Sequence, residues 1–198
     1  MNAAVICAHP DDETIFMGGT ILNHPGWSWD IYCFTYTDDS IRGKELIKAI
    51  NTFRSFGVKH INLYILGFND TKDIPTLEND FDLYRSVLKK ITKNKRFDVI
   101  FTHNKKGDYG HPQHIMVHQA VREVFKGAAI EEFICLGAEK VIPAPFLENV
   151  VLVQLDQKSL DQKLKVFESY SSQMSTWKDL FPIMNYEFKI GIEIFTSI

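Results

Sequence analysis

An imidazole and three carboxylates crowd the exit of this chain's first apolar run. Residues Ala3 to Ala8 are short, small and β-branched, the pattern of a buried strand. His9-Pro10-Asp11-Asp12-Glu13 follows at once. Like charges at the end of a buried strand are unfavourable unless a cation or a strong donor array sits among them. From Glu13 onward, Thr14, Ile15, Phe16, Met17, Ile21 and Leu22 have helical spacing, so the cluster occupies a strand-to-helix turn. In an open α/β sheet that turn lies at the carboxyl edge, where ligands bind.

A second polar cluster follows about a hundred residues on. Asp98 to Thr102 predicts another strand, and Gly107-Asp108-Tyr109-Gly110-His111-Pro112-Gln113-His114 comes after it. Pro112 suits a first helical turn, which places His111 at or beside the N-cap. His111 and His114, three apart, project from one face of that turn. The candidate metal ligands are therefore His9, Asp11, Asp12, His111 and His114, and spacing alone leaves open which three bind. A three-ligand N/O site with one open position is the hydrolytic arrangement of zinc, whereas structural sites close with four ligands.

The rest of the chain alternates strand and helix. Strands are expected at Trp27 to Tyr36 and Ile61 to Leu66, and helices at Arg42 to Phe56 and Asp80 to Lys95, with a long loop from Gly67 to Glu78. Beyond Gly127 the pattern loosens. Glu132 to Leu136 and Asn149 to Leu155 read as strands, Gln157 to Ser171 as a Lys-rich helix, and the stretch from Trp177 to Phe195 as an edge strand or a flap over the site. Such alternation predicts parallel βαβ units with right-handed crossovers. At 198 residues and 45% hydrophobic, residues 1–198 suffice for one domain with a real core. A net charge of −3 and the absence of a basic block exclude nucleic acid as the expected partner. Cys7 and Cys33 lie inside apolar runs, and with Cys135 they form no CxxC pair, as expected of reduced thiols in a cytoplasmic protein. No secretory leader and no apolar run of transmembrane length is evident.

The His-Pro-Asp-Asp-Glu run and the later His-Pro-x-His resemble the zinc-dependent N-deacetylases of the PIG-L/LmbE type. Arg42-Gly-Lys-Glu45 with Phe56-Gly57-Val58 is similar to that family's second-helix pattern, Gly67 to Asp70 to its loop after the third strand, and Lys163 with Tyr170 to Gln173 to its Lys…Ser-Gln signature. The resemblance implies a Rossmann-like α/β sandwich of three layers, with a mostly parallel sheet, helices on both faces and the metal site at the carboxyl edge. It implies zinc on His9, Asp12 and His114, with another divalent ion chemically acceptable. Asp11 would then be the general base, His111 the electrophilic or acid partner, Tyr109 an oxyanion contact and Arg42 a substrate contact. The implied reaction removes acetyl from an N-acetylglucosamine-type sugar or sugar conjugate. Two rivals are an amidase acting on another acylated amine or thiol conjugate, and a metal- or sugar-binding module without turnover. Gln113 points to the last, because the family carries aspartate there. Without that charge beside it, His111 is expected to be less basic. The sequence leaves open whether the chain forms a homo-oligomer.

Overall fold

The computed structural model describes residues 1–135, 149–174 and 191–197. Strand β1 (Asn2–Cys7) is fully buried from Ala3 onward. It pairs in parallel with β2 (Ser28–Thr35) on one side and β4 (Val99–Thr102) on the other. Beyond β2 lies β3 (His60–Phe68), and beyond β4 lies β5 (Ile130–Phe133), both again parallel. Two antiparallel strands complete the sheet, β7 (Ile192–Ser197) on β5 and β6 (Val150–Gln154) on β7, giving the order β3-β2-β1-β4-β5-β7-β6. The described residues form five α-helices, α1 (Asp12–Asn23), α2 (Ile41–Ser55), α3 (Ile74–Ile91), α4 (Pro112–Val124) and α5 (Gln157–Phe167).

Central strands covered on both faces explain the unbroken apolar runs. Apolar side chains of α1, α2 and α5, among them Phe16, Leu46 and Val166, pack on one face of the sheet. Those of α3 and α4, including Tyr84, Leu88 and Val117, pack on the other. The chain steps outward from β1 through β2 to β3, then returns to the opposite side of β1 for β4. The loops leaving β1 and β4 therefore diverge and open a crevice at this switch in strand order. Both histidine motifs begin at that crevice.

The last described stretch departs from expectation. β7 is an interior strand, not an edge: Glu193, Ile194 and Phe195 are all buried, and it is β6 that exposes Val151 and Leu152 at the rim. The flap reading concerned residues that lie, apart from this strand, outside the described ones. Helix α3 also begins earlier than expected, at Ile74. Asp73 accepts from the Thr76 N–H at 3.0 Å, and Pro75 sits in the first turn, so both are helix-start signals inside what read as a loop. Strand β5 begins two residues before its expected start.

Candidate metal centre

The turn after β1 is bent by one residue. Asp11 has φ 116°, a left-handed value that costs a non-glycine residue on the order of 1–3 kcal/mol and persists only when its surroundings impose it. Glu13 imposes it: one carboxylate oxygen accepts the Asp11 N–H at 3.1 Å, while the other accepts from the hydroxyls of Thr14 and the buried Tyr170. Asp12 opens α1, where the helix dipole favours an anion, and takes the His9 N–H on Oδ2 at 2.7 Å. The adjacent carboxyls thus leave the turn in different directions.

Across the crevice, the loop after β4 supplies His114. Gly107, at φ 70°, lets this loop fold back on α4; a Cβ there would lie 2.5 Å from the His111 carbonyl oxygen. The Asp108 carboxylate accepts from His114 Nδ1 at 2.8 Å and from His103 Nδ1. Burial alone would raise the Asp108 pKa, but His103 and His114 hold it low. With a proton on Nδ1, His114 turns its Nε2 lone pair into the crevice. Burial, together with His103 alongside, lowers the His114 pKa to about 4, so the ring is neutral at pH 7.

His9 completes the donor set. Its Nδ1 lies 3.0 Å from His114 Nε2, and Asp12 Oδ2 lies 3.6 Å from each of those nitrogens. Ligands about 2.0–2.2 Å from a tetrahedral ion are themselves about 3.4 Å apart, so these three atoms have the spacing of a shared cation's ligands. Without a cation, two imidazole nitrogens and a carboxylate face one another. Burial disfavours a charged His9, yet hydrogen bonds to Asp12 and Asp70 raise its pKa to about 10. The site demands positive charge, and a divalent ion meets that demand for all three donors where a proton meets it for two.

The arrangement brings together His9, Asp12 and His114, the set implied by the resemblance. Asp11 is buried beside them, with its carboxylate on Arg42 Nη2 at 2.9 Å. Burial pushes the Asp11 pKa well up, and Arg42 opposes this in part. Arg42 also donates to the Pro10 carbonyl and lies over the Tyr36 ring, so it braces the strained turn. His111 caps α4 and brings a ring nitrogen within 4.8 Å of those of His9 and His114. Its Nδ1 accepts from the Gln113 N–H at 3.2 Å, which leaves Nε2 as the N–H of the neutral ring. Burial, then the neighbouring His9 and His114, lower the His111 pKa to about 3. The Tyr109 ring meets the His114 ring edge-on, with centroids 5.3 Å apart.

Gln113 entered the sequence reading through the charge it does not supply to His111; its backbone N–H meets that ring, while its side-chain amide turns the other way, with Oε1 3.1 Å from His9 Nε2. Three participants carried no site assignment in the sequence reading. His103 is fully buried, accepts the Ala8 N–H on Nε2 at 2.9 Å and stacks on His114. With Nδ1 donating to Asp108, it has no lone pair left for an ion. Asp108 orients both rings, and Asp70 reaches His9 Nε2 at 3.2 Å from the rim. Their signal was position, since His103 directly follows β4 and Asp70 lies two residues past β3. His118 stays outside the donor set, with its Nδ1 on the His103 carbonyl.

A family model described as PIG-L, GlcNAc-PI de-N-acetylase, matches residues 4–125, more than half the chain. The chain is 24% identical over 209 residues to the N-acetylglucosaminyl-phosphatidylinositol de-N-acetylase of Bos taurus, covering 94% of this chain and 80% of that protein. It is 25% identical over 160 residues to the 1D-myo-inositol 2-acetamido-2-deoxy-alpha-D-glucopyranoside deacetylase of Rhodococcus opacus, covering 65% of this chain and 54% of that one. Its fold matches the zinc-inhibited form of teicoplanin deacetylase Orf2, with a TM-score of 0.76, 14% identity, and coverage of 100% of this chain and 97% of that one. It also matches N,N'-diacetylchitobiose deacetylase from Pyrococcus horikoshii, with a TM-score of 0.63, 22% identity, and coverage of 100% and 83%.

Proposed function

The chain belongs to the PIG-L family, and on that premise we propose that it is a zinc-dependent hydrolase that removes the N-acetyl group from an amino sugar of the N-acetylglucosamine type. The observation that carries the proposal is the convergence of His9 Nδ1, His114 Nε2 and Asp12 Oδ2, with the separate Asp11 carboxylate beside them. Its relatives' names support the substrate class, since the bovine and Rhodococcus proteins are both de-N-acetylases of glucosamine conjugates. His9, Asp12 and His114 would hold the ion. A zinc ion held there would supply Lewis acidity toward the acetyl carbonyl and would bring the pKa of a bound water to about 7.

The chain's own groups do the rest. Asp11, raised by burial and steadied by Arg42, takes the proton of the attacking water. His111 presents Nε2–H to the oxygen on which negative charge develops, and Tyr109 borders the same space. Asp11 then gives that proton to the departing amine, so the carboxylate base is regenerated within one turnover. His111 enters as a neutral donor, because its lowered pKa excludes the imidazolium at pH 7.

The test is release of primary amine and acetate from a panel of N-acetylated sugars, with metal analysis of the same preparation. Asp11→Ala is expected to keep its metal and to lose about 10²–10⁴ in kcat. Amine release that persists after chelation, or that Asp11→Ala leaves unchanged, would overturn the proposal.

A further inference from the structure

Gln113 is fully buried and uses both ends of its amide. Nε2 donates to the Asn69 carbonyl at 2.9 Å and to the Tyr84 hydroxyl at 2.7 Å. Oε1 accepts the Thr71 N–H at 3.2 Å and lies 3.1 Å from His9 Nε2. The backbone partners settle which end is which: only a donor can face the Asn69 carbonyl, and only an acceptor can face the Thr71 N–H. Oxygen therefore points at His9 Nε2. Asp70 Oδ1, the other group at that nitrogen, is also an acceptor, 3.2 Å away. His9 must consequently carry hydrogen on Nε2, which leaves Nδ1 for the crevice, where it lies 3.0 Å from His114 Nε2.

We infer that Gln113 is a positioning residue for the metal centre: its amide oxygen sets the tautomer and tilt of His9 while its amide nitrogen clamps the 69–71 segment, with Asp70, against α4. A ligating histidine is commonly oriented by an acceptor on its other ring nitrogen. His114 has Asp108 for this purpose and His9 has Gln113. The two rings are thus set from one helix and its preceding loop, although one belongs to the turn after β1. Aspartate at 113 would be a shorter side chain without the donor that Asn69 requires. The inference rests on the divalent-ion reading of the site and not on the substrate.

The experiment is titration of the apo-protein with Zn2+ against a competing chelator, and with Co2+ followed by its visible absorption. Gln113→Leu keeps the bulk and removes the acceptor. It is expected to weaken Zn2+ binding about 10-fold, the lower end of the usual 10–100-fold range because Asp70 still accepts from His9. Its Co2+ bands should shift in position or intensity. Gln113→Glu keeps an acceptor of the same length toward His9 but gives up the donor to Asn69, and is expected to bind Zn2+ at least about threefold more tightly than Gln113→Leu, a partial rescue that a merely space-filling residue would not show. Wild-type affinity in Gln113→Leu, or Gln113→Glu binding no more tightly than Gln113→Leu, would overturn the inference; should Gln113→Leu fail to fold, a loss of more than about 100-fold in Gln113→Glu overturns it and a smaller loss supports it. A wild-type protein that binds no Zn2+ would overturn the metal reading itself.

Discussion

Removing the Lys163 ammonium should expose how α1, the helix that begins with Asp12, is held. Lys163 is fully buried and donates to Glu193 Oε1 at 2.7 Å and to the Ile15 carbonyl at 2.6 Å. Glu193, reaching in from β7, also accepts from Gly19 N, Thr20 N and the Thr20 hydroxyl. Ile15 O and Gly19 N are the two ends of one i to i+4 rung, so the ion pair is spliced into the flank of the helix. Gly19 permits the close approach of α1 to its surroundings, since a Cβ there would lie 2.3 Å from Leu155. Breaking one side of a buried pair costs about 3–5 kcal/mol because the other charge stays behind. Three donors remain to Glu193, which puts Lys163→Met at the low end, about 3 kcal/mol, or a Tm lower by about 6–12 °C. Glu193→Gln leaves the ammonium without its counter-charge and should cost about 4 kcal/mol. The double variant removes both charges and should cost less than the sum of the singles, with a coupling of at least about 2 kcal/mol in a urea-unfolding cycle. Additive singles, or a Lys163→Met within about 1 kcal/mol of wild type, would show that the pair does not hold the helix.

The remaining predictions probe charge at and near the site. With a pKa of about 10, set by Asp12 and Asp70 against the opposing effect of burial, apo His9 holds a proton at pH 7.5. Zn2+ binding should therefore release about one proton, read by calorimetry in buffers of different ionisation enthalpy, and affinity should rise as pH increases from 6 to 9; binding with no proton uptake or release by the buffer would contradict this. His111→Gln keeps a donor but not its placement and should lower kcat by about 10²-fold with metal content unchanged, whereas a loss of metal would make it a ligand. Tyr170→Phe removes a donor from buried Glu13 and should cost about 1–2 kcal/mol in urea unfolding, together with a fall in kcat as the Asp11 turn relaxes. Burial raises the Glu132 pKa from 4.5 to about 7, so the folded chain keeps a proton that the unfolded chain has already released between those values. Its favourable contribution is present below pH 4.5 and lost as pH rises through 7. Allowing for solvent screening, Glu132→Gln should gain about 2 kcal/mol relative to wild type between pH 4.5 and pH 8; parallel stability curves for the two proteins would refute this.

The parallel strands and the two histidine-bearing clusters were legible because each rests on local pattern, whereas the choice of His9, Asp12 and His114 among the five candidates came from the family resemblance and not from spacing. Apolar runs that end in turn signals marked β1, β2 and β4, and helical spacing marked α1, α2 and α4. What was not legible depended on neighbours distant in sequence. An alternating apolar strand such as Ile192–Ser197 reads alike at an edge or in the interior; only its pairing with both β5 and β6 decides. Asp73 and Pro75 suit a loop as well as a helix start, and the capping bond to Thr76 decides between them. Gln113 lies in the motif beside His111, but helix geometry sends its side chain over α3 toward His9.

The division of labour among the three consecutive carboxylates is the sharpest case. Spacing made Asp11 and Asp12 equivalent as candidate ligands. Their environments separate them. Asp12 lies among the His9, His103 and His114 rings; burial by itself would raise its pKa, but these rings hold it well down, as suits a ligand. Asp11, turned aside by a left-handed backbone, meets Arg42 instead and is raised by burial, as suits a base. Glu13 is consumed by the turn itself through Asp11 N, Thr14 and Tyr170. Since Tyr170 lies beyond residues 4–125, the conformation that turns the Asp11 carboxyl away from that of Asp12 depends on a side chain outside the span matched by the family model. A change in the C-terminal third should therefore lower turnover before it alters metal content, because Asp11 is the group displaced first.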